Sequence, residues 1–368
     1  MRKFQALSLS AALLASLLLG GCANNAASSD AASSDSAASE PEATPEPTPA
    51  PPAANPLTGA ADADYTGKRP VAVTLRNMTG STPQWGIASA DVLVEGVTEG
   101  TTASLMALYA NPDSIAKAGP VGPARDLLLQ VALPLNAVPV HIDKNIYASN
   151  LLNTLAYQDL DGYHIGKTAF AFDQDRQNAG YAEENCWYTT AELINSGLAS
   201  YGVSLNGDNT PLFQFGERPA VDPADRSGMN LTITFSPDDI DCLNYDTGTG
   251  LYALSNGDGS PVQDADNGQQ VGFTNVFVFY ASSGIKDDGY TRQYDMTAGT
   301  GLYLHGGAWE RINWTKEDAT GPFVITNEAG ETLVVSQGKS FIAIWGGYYG
   351  QSLSLTAADG SAQTLPDK

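Results

Sequence analysis

Two textures of hydrophobic patterning divide the chain beyond residue 54. From residue 55 to about 203, the short apolar runs 71–75, 91–97, 104–109 and 137–142 read as strands. Between them lie stretches with helical spacing. The breaker cluster Gly119-Pro120-Val121-Gly122-Pro123 precedes a predicted helix over 124–133, which Pro134 stops. A second helix is predicted over 147–157. A third opens at Thr189-Thr190-Ala191-Glu192, a capping-box pattern, with Tyr188 and Leu193 placed as a hydrophobic staple. Mixed elements in this order predict an α/β N-terminal domain over 55–203.

From residue 231 the pattern turns to alternation and tight turns. Residues 231–235, 276–280, 323–326, 333–335 and 341–345 are rich in β-branched and aromatic side chains and predict a β-rich (α+β) C-terminal domain with mixed sheets over 231–350. Asn327-Glu328-Ala329-Gly330 reads as a hairpin turn. Gly248-Thr249-Gly250-Leu251-Tyr252 recurs as Gly299-Thr300-Gly301-Leu302-Tyr303, which predicts two similar hairpins whose tyrosines pack on a shared sheet. Residues 204–230 read as the connection between the halves and 351–368 as a tail.

The N-terminal pattern is different again. Arg2 and Lys3 precede an apolar run that closes with Leu19-Gly20-Gly21-Cys22. A small-residue cleavage site directly before a cysteine is the layout of a lipoprotein signal peptide over 1–21, with Cys22 as the lipidated residue. The run is shorter than the ~20 apolar residues that a membrane span needs. Residues 22–54 then contain almost only Ala, Ser, Pro, Asn, Thr, Asp and Glu. With no aromatic or branched aliphatic side chain to bury, this stretch reads as a disordered tether. Together these features predict an extracytoplasmic protein held on the outer face of the cell membrane by lipid.

Charge narrows the choice of partners. The chain has 41 acids and 18 bases; without the tether's five acids and the leader's two bases, 36 acids face 16 bases, a net −20. Such an excess disfavours nucleic acid and anionic headgroups. Cys186 and Cys242 have no CxxC or Cys/His ligand spacing, and read either as one disulfide or as two thiols.

The most loaded cluster for chemistry is Arg125-Asp126 with His141, and with Glu95 as a further member. A helix opening after the glycine-proline cluster offers free N–H groups, Arg125 a planar fork for a carboxylate or phosphate, and His141 an acid or base near neutral pH. Equally, Asp126 could complement the helix start, Arg125 pair with Glu95 or Asp91, and His141 be a polar strand end. Asp173, Asp175 and Glu184 have calcium-loop spacing, but Asn178 stands where such a loop needs glycine. Asp264-Ala265-Asp266-Asn267-Gly268 reads as a solvated turn. There is no Gly-x-Ser-x-Gly elbow, and His141, His164 and His305 lack zinc-site neighbours. No cofactor is expected. Tyr147, Tyr163, Trp187, Tyr188, Trp309, Trp314 and Trp345 could line a glycan groove, though packing is the commoner use of such residues.

Several blocks resemble a known family. Asn55-Pro56-Leu57-Thr58-Gly59, Arg69-Pro70-Val71-Ala72-Val73, Pro83-Gln84 with Gly86, and Ala90-Asp91-Val92 with Glu95 are similar to the opening of the YerB-like lipoproteins. Gly119-Pro120-Val121-Gly122-Pro123-Ala124-Arg125-Asp126 resembles that family's next motif, departing from it at Gly122-Pro123. The strand ending at His141 resembles the following block, with a departure at Ile142-Asp143-Lys144. Gly299-Thr300-Gly301-Leu302-Tyr303, Trp314-Thr315-Lys316 and Gly338-Lys339-Ser340 are similar to its C-terminal block. The resemblance spans most of 55–345 and implies a two-part α/β and β fold on a lipoprotein stalk. It implies no reaction, the family being one of unknown function.

Three functional readings follow. The first is a non-enzymatic envelope module that binds a protein partner or a cell-wall polymer. The second is an envelope enzyme that acts on a carboxylate- or phosphate-bearing substrate through Arg125, Asp126 and His141. The third is a solute-binding lipoprotein, against which the β-rich second half argues.

Overall fold

The computed structural model describes residues 52–218 and 221–366. Cys22, the leader and nearly all of the tether lie outside the described residues. In the first half the strands are β1 (Val71–Leu75), β2 (Val92–Glu99), β3 (Thr102–Tyr109), β4 (Val138–His141) and β5 (Leu160–Asp161), followed by the short β6 (Ala171–Phe172) and β7 (Trp187–Tyr188). The helices are α1 (Asp126–Ala132), α2 (Ile146–Leu155), α3 (Gly162–Ile165), α4 (Gln174–Asn178) and α5 (Ala191–Tyr201). The connection holds β8 (Gln214–Phe215). The second half supplies β9 (Asn230–Ser236), β10 (Asp239–Asp246), β11 (Leu251–Asn256), β12 (Gly272–Phe273), β13 (Asn275–Ile285), β14 (Arg292–His305) and β15 (Ala308–Thr315). It ends with β16 (Val324–Asn327), β17 (Val334–Val335), β18 (Ser340–Trp345) and β19 (Ser352–Thr356).

This is an α+β, β-rich fold with mixed sheets. One ten-stranded sheet runs β16-β15-β14-β13-β18-β2-β3-β1-β4-β5, and a five-stranded sheet runs β12-β11-β10-β9-β19. The large sheet crosses the midpoint of the chain: β18 pairs parallel with β2, Ser340 opposite Val92 through Ile344 opposite Gly96. All described residues accordingly fall in one compact unit.

Strand alternation sorts side chains onto the two faces of the large sheet. Val71, Val73, Leu75, Leu93, Val97, Val276 and Val278 join one buried cluster with Leu231, Ile233 and Phe235 of the five-stranded sheet and with Ile194 and Leu198 of α5. Ala72, Val92, Val94, Phe277, Phe279 and Trp314 join the other, beneath Leu127, Leu128 and Val131 of α1. β1–β4, α1, α2 and α5 thus lie where periodicity predicts them, whereas the short β5–β7, α3 and α4 had no predicted counterpart.

Four readings need correction. The α5 cap is Thr190, whose hydroxyl accepts from Leu193 N, one residue later than the capping-box reading; the Thr189 hydroxyl is used instead on Ala169 O. Of the two glycine echoes, only Gly248–Gly250 turns a hairpin, between β10 and β11. The other lies inside β14, where Gly299 and Gly301 are needed because a Cβ would strike Tyr280 O and Val278 O at 2.2 and 2.3 Å. Tyr252 and Tyr303 therefore sit in different sheets. Residues 351–366 are no loose tail, since β19 pairs with β9 and buries Leu355. Asp264 is only 1% exposed, not solvated: its carboxylate accepts from Gly86 N (3.0 Å), Ala88 N (2.9 Å) and Asp266 N (2.9 Å), latching the second half onto the first.

Candidate functional site

The residues that the sequence marked for chemistry are mostly committed to one another. Arg125 forms an ion pair with Glu99 (Nε–Oε1 2.7 Å, Nη2–Oε2 3.0 Å), not with Glu95 or Asp91. Asp126, in the first turn of the seven-residue α1, pairs with Lys286. The helix start is thus filled by the chain's own charges. None of Arg125, Asp126 and His141 lines the cavity that Glu95 faces.

His141 is 0% exposed at the end of β4. Its Nε2 lies 3.0 Å from Asp159 Oδ2 and its Nδ1 2.9 Å from Asp143 O. Among the described residues His141, Asp159 and Asp161 are the trio whose ligand atoms fall within 4.8 Å of one another, the spacing a metal would need. However, Lys144 Nζ donates to Asp159 Oδ2 (2.8 Å) and Asp161 Oδ2 (3.0 Å). A cation is already provided by the chain. Burial alone would raise Asp159, but hydrogen bonds from His141 and Lys144 outweigh it and bring the carboxyl down to about 2. Burial would likewise lower Lys144, yet its bonds to the same two aspartates raise it.

The calcium residues are not gathered. Asp173 caps α4 by accepting from Arg176 N and pairs with Lys117 at 2.5 Å, while Asp175 and Glu184 are exposed. The 173–178 segment is helical because that cap and Lys117 satisfy Asp173 locally. Cys186 and Cys242 are free thiols; Cys186 is buried and donates to Ala182 O. The aromatics divide among packing positions: Trp314 is fully buried beside Phe279, whereas Tyr163 stands exposed beside His164.

The uncompensated charge lies elsewhere. A cavity of about 540 Å³ opens where the large sheet meets the small one, lined by Glu95 of β2, Asp239 and Asp241 of β10, and apolar Ile87, Leu93 and Leu105. Asp238 and Asp258 also border it, and no Lys, Arg or His is among its lining residues. Glu95 is 3% exposed because it holds the inward position between Leu93 and Val97 in the strand alternation. Asp241 is 8% exposed, one step before the inward Leu243, and its Oδ2, like Asp239 Oδ2, has no hydrogen-bond partner among the described residues outside the carboxyl cluster. A bulge between Asp239 and Ile240 sets the strand's register there.

Among the described residues, an amide and no cation donates to this cluster. Asn77 Nδ2 donates to Glu95 Oε1 at 2.6 Å, and Gln84 Nε2 donates to Asn77 Oδ1 at 2.8 Å. Burial, then repulsion from Asp241 and Asp239, raises Glu95 well above the usual carboxyl range. Burial raises Asp239 to about 6; burial and the Asp239 charge raise Asp241 to about 7. The three therefore resist ionising together, and the cluster keeps part of its protons up to near neutral pH in place of a cation.

Sequence reasoning found Glu95 but missed Asp239, Asp241 and Asn77. The available signal was acids two apart, Asp239 and Asp241, leading into Leu243 with strand periodicity; two charges on an apolar face are costly without a use.

Comparison with known proteins settles the relationship. Residues 57–204 match the N-terminal domain, and residues 231–342 the C-terminal domain, of a family described as protein of unknown function, DUF3048. The chain belongs to the DUF3048 family. It is 26% identical over 300 residues to "Putative lipoprotein YerB" of Bacillus subtilis (strain 168), covering 78% of this chain and 85% of that protein. The crystal structure of the YerB protein from Bacillus subtilis has a similar fold, with a TM-score of 0.71 at 24% identity, covering 82% of this chain and 99% of that one. The two DUF3048 matches leave 205–230 between them, where the sequence placed the connection.

Proposed function

We propose that this DUF3048 protein is an extracytoplasmic lipoprotein, anchored through Cys22, that binds rather than transforms its ligand, and that the ligand enters the acidic cavity by an ammonium group. The Leu19-Gly20-Gly21-Cys22 site and the name of the Bacillus relative, a lipoprotein, support the anchor. One observation carries the ligand class: a cavity of about 540 Å³ with five carboxyls and no base in its lining. An ammonium there replaces the shared protons, so that Glu95, Asp239 and Asp241 ionise around it, while Ile87, Leu93 and Leu105 receive the attached hydrocarbon. Small amines and amine-bearing envelope polymers or peptides share this chemistry. Against catalysis through Arg125, Asp126 and His141 stands the pairing of each with a fixed partner.

The test uses the full chain in detergent and calorimetry with 1,5-diaminopentane against the neutral 1,5-pentanediol. The diamine is expected to bind and the diol not to, with binding lost in the Asp239→Asn, Asp241→Asn double variant. Equal behaviour of diamine and diol sinks the ligand assignment. For the anchor, labelled fatty acid is expected to enter the wild type but not Cys22→Ser; label in both variants or in neither would reject it.

A further inference from the structure

Among the described residues, Arg76 is a half-buried cation with no ion-pair partner. It follows the last residue of β1, and Ile142 follows the last residue of β4; these two strands are parallel, with Val71 opposite Val138 and Val73 opposite Val140. The crevice beyond the carboxyl ends of parallel strands is where α/β folds commonly receive ligands. Here it contains a cavity of about 220 Å³ lined by Arg76, Val121, Ile142, Trp187 and the exposed Glu183 and Glu184. Arg76 also borders a cavity of about 610 Å³ with Met78, Thr79 and Thr82, residues that line the acidic cavity too.

The arginine is held in place from its backbone. Its N–H donates to Pro120 O at 2.8 Å, and its carbonyl accepts from Ser81 Oγ (3.1 Å) and Gln84 Nε2 (3.3 Å). Gly122 lies against it so closely that a Cβ there would come within 3.2 Å of Arg76 Cγ. The guanidinium, in contrast, makes no ion pair within 4.0 Å among the described residues, and its Nε is shut off from solvent without a hydrogen-bond partner. Glu184 and Asp143 act on it only from a distance, as does the like charge of Arg125. A planar, half-buried fork with unused donors is suited to a carboxylate or phosphate.

We infer that Arg76 is an oxyanion-binding subsite, so that the ligand whose ammonium enters the acidic cavity presents a carboxylate or phosphate on the other side of the 77–83 loop. The second charge rests on the proposed ammonium reading; the anion subsite itself stands on Arg76 alone. The full chain would be titrated with inorganic phosphate and, separately, with acetate, at fixed ionic strength. The readout is the arginine Nε–H resonance that disappears in Arg76→Gln. This resonance is expected to shift saturably, with the stronger ion identifying the group. Affinity, followed on backbone amides around Val121 and Trp187, is expected to fall about tenfold or more in Arg76→Gln. Glu184→Gln, an exposed change that leaves the packing alone, is expected to tighten binding about two- to fivefold. The Asp239→Asn, Asp241→Asn variant is expected to lose diamine binding and keep anion binding, so the two sites fail separately. No saturable shift with either ion, or equal affinity in Arg76→Gln, overturns the subsite. Independent diamine and phosphate sites that a single zwitterionic probe, 5-aminopentanoate, cannot bridge with higher affinity than acetate overturn the zwitterionic ligand.

Discussion

Two clusters of acid, one at the end of β4 and one inside β2, differ in how their charge is met. Around His141, Asp159 and Asp161 share the ammonium of Lys144 and every charge is met within the chain. Around Glu95, the two aspartates of β10 meet another carboxyl, and among the described residues the Asn77 amide donates to Glu95 and to neither aspartate. Compensated charge at that depth specifies structure; uncompensated carboxyls take up protons instead, which a cation from outside the chain can replace. The opposite shifts record the difference: Asp159 falls to about 2, whereas Asp241 rises to about 7.

The largest expected effect breaks the compensated cluster. Lys144→Met leaves Asp159 and Asp161 facing each other and is expected to cost about 3–5 kcal/mol in denaturant unfolding at pH 7. In the wild type Asp159 lies below its ordinary 3.8, so its stabilisation is complete above that pH and disappears as pH falls through about 2. In the variant acid loss is expected to begin at higher pH. An unchanged unfolding midpoint would remove the contrast.

The acidic cavity predicts the reverse sign. Asp239 and Asp241 lie above their ordinary 3.8, so they favour the fold fully below that value and withdraw this stability as pH rises through about 6 and 7. Without ligand, the chain is expected to lose roughly 2–4 kcal/mol between pH 5 and 8 from these groups. Asp241→Asn is expected to flatten that loss and to stabilise the protein at pH 8. Destabilisation at pH 8 would show that the ionised aspartate already has a partner.

Asp264 sharpens the comparison as a buried acid met wholly by backbone N–H groups. Asp264→Ala strands Gly86 N and Ala88 N, and is expected to cost about 1–3 kcal/mol in thermal or denaturant unfolding. The smallest effect concerns binding: diamine affinity is expected to rise roughly tenfold from pH 5 to pH 8, as the ammonium displaces protons from the cluster. An affinity independent of pH would count against displacement.

Local legibility tracked local physics. β1 and β2 were readable because Val71, Val73, Leu93 and Val97 obey one alternation, and α5 because its capping threonine precedes a periodic run. The cap was misplaced by one residue because Thr189 and Thr190 are chemically equal and only the Ala169 carbonyl distinguishes them. The Gly299 repeat was misread because a close neighbour, Tyr280 O, and not a turn, demands the missing side chain. Of the candidate site, Glu95 was visible as a charge in a strand, but its companions sit more than a hundred residues away.

Sequence alone determined the family, the two textures of the chain, its acidity, and most strands and helices of the first half, since these depend on spacing over a few residues. Tertiary structure decided that β18 joins β2 into one sheet, that Lys144 neutralises one pair of acids, and that Glu95 meets Asp239 and Asp241 with no cation from the described residues beside them. The physical reason is range: propensity and period act along the chain, whereas electrostatic compensation depends on which distant segments the packing of two sheets brings face to face.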